Sequence, residues 1–235
     1  MIYDAVAILT SESWFSNPAI VRGLWPALLE TIYMVGLSSL LTVLLGLPLG
    51  LVLAETRRGG MIAAPTANKI TGALVNLGRA IPFIILAIIV LFLVRAINLP
   101  FLKATGWPAF TIALAVSAIP YFARMVESNV LAVSPGKVEA AQMTGASHTR
   151  IMWDVLVREA LPSIINSVTI LVITIVGYSA MAGAVGGGGL GALAINQGYQ
   201  RYQFDVIVIV VALILLMVQV IQWVGDMLSR MVDHR

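Results

Sequence analysis

An all-α, polytopic membrane fold of about five transmembrane helices is what this sequence predicts, and three observations carry the prediction. Of its 235 residues, 60% are hydrophobic and only 11% charged, with a mean hydropathy of +0.97. Soluble domains run about 25% charged, so this chain has too little polar surface to cover a water-facing globule. Its charges also leave long gaps: Leu28 to Ala54 holds a single one, Glu30, and Trp107 to Ala123, Leu161 to Gln200 and Val206 to Gly225 hold none. A spanning helix needs roughly 20 apolar residues at 1.5 Å each, and each gap approaches or exceeds that length.

The elements follow in order along the chain. Residues 1–20 read as an extension, lying at the membrane interface through Trp14 and Phe15. A signal peptide is not expected there: Asp4 stands where a positive region belongs, Ala5 to Leu9 is short, and no small-residue cleavage site follows. The membrane domain then occupies 21–235, with spans over roughly 27–54, 71–95, 107–126, 161–185 and 204–226. The second span is interrupted in its first turns by Arg79, which can snorkel to the interface, and by Pro82, which is expected to kink it.

Orientation follows from Lys and Arg. With the N-terminus outside, the inner segments hold Arg57, Arg58, Lys69, Arg79, Arg124, Lys137, Arg150, Arg158, Arg230 and Arg235, against Arg22, Arg95, Lys103 and Arg201 outside. That asymmetry obeys the positive-inside rule and puts the C-terminus inside. It also explains the net charge of +3 without nucleic acid. The chain has no cysteine, so it can form neither disulfides nor thiolate metal sites.

One connection is long. Between the third and fourth spans, over about 127–160, a cytoplasmic loop concentrates charge with Glu127, Lys137, Glu139, Arg150, Asp154, Arg158 and Glu159. Polar mass gathered in one loop implies contact with something soluble. Ser134-Pro135 is an N-cap followed by proline at the first helical position, and Ala140, Ala141, Gln142 and Met143 are good helix formers. Gly145 supplies a left-handed stop, Ser147 caps a second helix running through Trp153 and Leu156, and Leu161-Pro162 is expected to end that helix at the entry to the fourth span. The first helix presents Glu139 and two small alanines, which suits close entry into a groove; the alternative is a plain amphipathic surface helix.

Glu139-Ala140-Ala141, three residues and then Gly145 resembles the EAA loop of binding-protein-dependent ABC importer permeases. That pattern continues nine residues later into Leu-Pro, where this chain has Val155-Leu156-Val157-Arg158 instead. Gly46-Leu47-Pro48-Leu49-Gly50, Arg79 to Ile85, Pro120 to Glu127 and Gly177-Tyr178-Ser179-Ala180-Met181 are similar to the methionine importer permease family. The resemblance implies the type I ABC importer permease fold in a bacterial inner membrane. It implies a homodimer working with two ATP-binding cassette ATPase subunits and an external substrate-binding protein, periplasmic or lipoprotein. Glu139, Ala140, Ala141, Met143 and Gly145 would then couple to the ATPase. ATP and Mg would belong to that partner, with no cofactor and no catalysis in this chain.

The remaining features are weighed against this frame. Gly186-Gly187-Gly188-Gly189-Leu190-Gly191 lacks the Lys-Ser or Lys-Thr and the preceding strand of a phosphate loop, and reads as a flexible or closely packed outer turn. No Asp, Glu or His falls mid-span, which weighs against an ion-coupled secondary carrier, the competing class. No nucleophile has an evident base: Ser179 lacks the flanking glycines of a nucleophile elbow. The fourth span, rich in Ser, Thr, Gly and Ala, reads either as helix packing or as a pore lining with Tyr178, Ser179 and Met181 on the translocation path and Tyr178 and Met181 as a gate. Both readings stand on the sequence.

Overall fold

The computed structural model describes residues 16–97 and 105–232, all helix and connecting turns with no strand among them. Residues 1–15 lie outside it, and with them the expected interfacial role of Trp14 and Phe15. Helix α1 (Pro18–Thr56) is 39 residues long, so it takes in residues 18–20 and exceeds the expected 27–54. It starts at Asn17, whose side-chain oxygen accepts the Ala19 N–H while its backbone carbonyl accepts from Ile20 and Val21. It ends in a tight turn in which Gly59 is left-handed and the Oε2 of buried Glu55 accepts the Met61 N–H.

Helix α2 (Pro65–Ala80) begins with proline in its first turn, where a missing N–H costs nothing. It does not run on as the expected single span 71–95. Ile81 precedes Pro82 and is held extended at φ −77°, ψ 126°, the conformation a following proline imposes. The chain therefore breaks, and helix α3 (Phe83–Ile97) leaves at 105° to α2. The expected kink is a full interruption of the span.

Helix α4 (Trp107–Leu131) is followed by α5 (Pro135–Met143), α6 (His148–Arg150), a π-helix (Ile151–Val157) and α7 (Arg158–Ala182). From His148 through the 3₁₀ turn Gly183–Val185 the path is one helical rod of 38 residues. The expected helix end at Leu161-Pro162 is absent, since Pro162 lies inside α7. Neighbouring side chains occupy the polar groups around it: Ser229 donates to the Pro162 carbonyl, and Asn129 donates to the Ser163 carbonyl and the Ser167 hydroxyl. These bonds tie this part of the rod to its neighbours, though none goes to the Arg158 carbonyl that the missing Pro162 N–H leaves free. A short α8 (Gly189–Leu193), a second π-helix (Ala194–Tyr199) and α9 (Phe204–Val232) complete the chain.

Contacts divide the chain into two compact units. The first comprises the segment ending at Ser38, Phe83–Ala115 and Val172–Ile221. Its core joins Ile20, Ala27, Leu190, Val206 and Val210. Asn17 donates to Asp205 at 2.8 Å, joining the starts of α1 and α9. The second unit comprises Ser39–Pro82, Val116–Leu171 and the segment from Gln222, with Leu53, Val75 and Ala123 at its centre. There α1 and α4 cross closely: a Cβ on Gly50 would lie 2.5 Å from the Ala123 carbonyl oxygen, the small-residue approach expected between membrane helices. Four helical stretches are long and apolar enough to span a membrane, five with the broken pair α2 and α3. The apolar window of α9 is only 11% buried, a face that fits lipid rather than water.

Candidate functional site

Helix α5 projects with none of its residues buried. Ser134 stands at its N-cap with Pro135 next, although the serine hydroxyl makes no capping bond. Its end is a Schellman arrangement, in which Ala146 N–H reaches the Ala141 carbonyl, Gly145 N–H reaches that of Gln142, and Gly145 takes φ +75°. An L side chain there would be strained, so glycine fixes where the helix stops. Glu139 and Ala140 are exposed, Ala141 is half-buried, and Met143 is 90% exposed. A bare methionine on a bare helix is a contact waiting for an apolar partner.

The base of α5 is anchored on one side. Val138, Glu139 and Gln142 border a groove of about 300 Å³ whose other wall is Glu55, Arg57, Gly60 and Leu156. Lys137 forms an ion pair with Glu159 at the start of α7. Ser147 accepts the Arg150 N–H and so caps α6, as its sequence position predicts. The Lys137–Glu159 pair thus ties α5 to the start of α7.

The fourth-span residues do not share one surface. Tyr178 stacks face to face on Phe83, with ring centroids 4.5 Å apart and planes 5° from parallel. Met181 is half exposed, on the same side as exposed Gly177 four residues earlier. Ser179 points the other way: it is 3% exposed and donates to the Val176 carbonyl of its own helix. Exposed and buried faces thus divide along one helix.

Two polar arrangements have no counterpart in the sequence reading. Glu30 and Thr31 on α1 clasp the glycine-rich turn: Glu30 Oε2 accepts the Gly189 N–H at 2.7 Å and the Thr31 hydroxyl accepts the Leu190 N–H at 2.8 Å. The turn is closely packed, since a Cβ on Gly191 would lie 2.2 Å from the Ala180 carbonyl oxygen. In the other, Arg124 donates to Glu127 (2.6 Å), the Gly72 carbonyl (3.0 Å) and Asn76 (3.1 Å). Glu30, the lone charge inside the first long apolar stretch, was the faint signal for the first. Arg124 with Glu127 at i,i+3 was the signal for the second. Among the described residues no group of three or more His, Asp or Glu is placed to hold a metal.

The described residues form a helical membrane bundle with a broken span and, before its 38-residue rod, a short helix with no buried residue. Comparison with known proteins narrows the class. Residues 46–235 match the family described as the binding-protein-dependent transport system inner membrane component, and this chain belongs to that family. It is 41% identical over 228 residues to the probable D-methionine transport system permease protein MetI of Vibrio cholerae, covering 96% of this chain and 98% of that one. It is 37% identical over 226 residues to the methionine import system permease protein MetP of Bacillus subtilis, covering 95% and 99%. A solved structure of inward-facing conformations of the MetNI methionine ABC transporter superposes with a TM-score of 0.86 at 39% identity, covering 96% of this chain and all of that one.

Proposed function

We propose that this chain is the membrane-spanning permease subunit of an ATP-driven methionine importer. The observation that carries the reading is α5, a helix with no buried residue and a glycine-fixed end, anchored by Lys137 and Glu159 to a rod that reaches Tyr178 and Met181. Near-full-length similarity to methionine permeases supports the substrate.

In this reading two copies form the pathway, two separate ATPase subunits bind and hydrolyse ATP with Mg, and an external binding protein delivers the solute. Glu139, Ala140, Ala141, Met143 and Gly145 enter a cleft on the ATPase. ATP binding draws the two α5 helices together and opens the pathway outward; hydrolysis resets it. Tyr178 and Met181 face the path, with Ser179 packed behind them. The broken pair α2 and α3 counts as a fifth crossing, which leaves the N-terminus outside and α5 inside. The test is recovery of the tagged chain from native membranes beside a Gly145→Pro, Glu139→Lys double variant. An ATPase should come with the former and be lost from the latter while the variant stays folded, and membranes holding the intact complex should accumulate radiolabelled methionine. Wild type purified without any ATPase, in a detergent that preserves complexes, would sink the reading.

A further inference from the structure

We infer that the groove at the end of α2 is an oxyanion subsite that takes the carboxylate of the solute in transit, a reading that rests on the importer assignment. The groove, about 540 Å³, is lined by Arg79, Tyr121, Arg124, Glu127, Asn129 and Ser167 among others. A volume of that size holds a small solute, and these walls are polar in a chain that is only 11% charged.

The charges do not cancel. Glu127 is the acid of the lining, and it is already paired to Arg124 at 2.6 Å. The Gly72 carbonyl and Asn76 hold the rest of the Arg124 fork in place, and its Nε is buried with no acceptor. Arg79 has no acidic or hydrogen-bonding partner among the described residues, and neither has the Tyr121 hydroxyl. Arg79 occupies the last turn of α2, where the helix dipole favours a cation, directly before the break at Ile81-Pro82. Arg124 is closed off by Glu127, Gly72 and Asn76, so the free Arg79 guanidinium and the free Tyr121 phenol are the donor set for an oxyanion, because guanidinium forks match planar carboxylates in two bonds.

A solute carboxylate fits better than a lipid phosphate. A lipid needs an apolar track for its chains, whereas Met125 and Leu131 are the aliphatic members of this lining. Interrupted helices are also where transporters expose backbone and charge to small solutes.

The test uses the complete permease–ATPase complex in nanodiscs of phosphatidylcholine, without binding protein, and reads equilibrium binding of radiolabelled methionine. Wild type should show a site that Arg79→Gln weakens by about tenfold or more, the scale of one lost charged hydrogen bond. Tyr121→Phe should weaken it less. Methionine amide, lacking the carboxylate, should fail to compete there. Because Arg79 is exposed and unpaired, its replacement leaves the fold intact. Binding that ignores both variants overturns the inference, and so does a site seen only when phosphatidylglycerol is added. Uptake by proteoliposomes with binding protein separates the two levels. Wild-type liposomes that import no methionine overturn the importer reading itself. Import equal in wild type and Arg79→Gln, with equal binding, overturns the subsite alone.

Discussion

Single residues in this protein matter most where backbones touch. A Cβ on Gly183 would sit 2.2 Å from the Ala192 nitrogen, and one on Gly191 equally close to the Ala180 carbonyl oxygen. Backbone cannot yield as a side chain tip can, so Gly183→Ala or Gly191→Ala should cost about 3 kcal/mol or more, read as a lowered thermal midpoint of the purified chain. Gly177→Ala, with nothing within 4 Å of the added Cβ, should leave that midpoint unchanged. Glu30→Ala removes the acceptor of the Gly189 N–H and should cost about 1.5–3 kcal/mol in the same assay, with Glu30→Gln between it and wild type. Sequence legibility at this scale tracks distance along the chain. Gly145 could be read from its neighbours because a helix stop is decided within a turn. The partnership of Glu30 with Gly189 bridges 159 positions, and no local pattern encodes it.

At the scale of elements, helix lengths were legible and interruptions only half so. Apolar gaps between charges marked every span but the second, which holds Arg79 and Arg95, because a bilayer imposes one minimum length on all of them. The two prolines then behaved oppositely. Pro82 breaks its span through the extended Ile81, whereas Pro162 sits within a continuous rod, with Ser229 and Asn129 bonded to the carbonyls beside it. Local rules for proline are the same in both places, so a proline by itself does not say in a single sequence whether its helix breaks or runs on. The tie between α5 and α7 gives a prediction at this level. Lys137 and Glu159 are exposed, so reversing either charge should shift stability by less than about 1 kcal/mol. Lys137→Glu should nevertheless lower methionine uptake per ATP hydrolysed, and the exchange Lys137→Glu with Glu159→Lys should restore it. Equal ratios in all three proteins would remove the pair from the coupling path.

For the molecule as a whole, the all-α membrane class could be read in advance, and the asymmetry of Lys and Arg gives an expected orientation. It depends on an odd number of crossings, hence on whether α2 and α3 together traverse the layer. The chain has no cysteine, so single introduced thiols report sidedness without background. Ala146→Cys should react with an impermeant maleimide only in inside-out vesicles, and Tyr202→Cys only in right-side-out cells. Both reacting from the same side would make the broken pair a re-entrant hairpin. Division into two compact units was invisible in the sequence, because each unit is assembled from three separate stretches.

The π-helix at Ile151–Val157 gives the angular offset between the exposed helix and the membrane rod a coarse, heritable step. A wide turn holds one residue more than the α-helix around it needs, and each residue advances an α-helix by about 100°. Insertion or deletion of one amino acid there re-aims Glu159, Gly177 and Met181 together while leaving every one of them unchanged. A change of length at this one place thus alters how α5 is aimed against α7 without altering any residue of either helix.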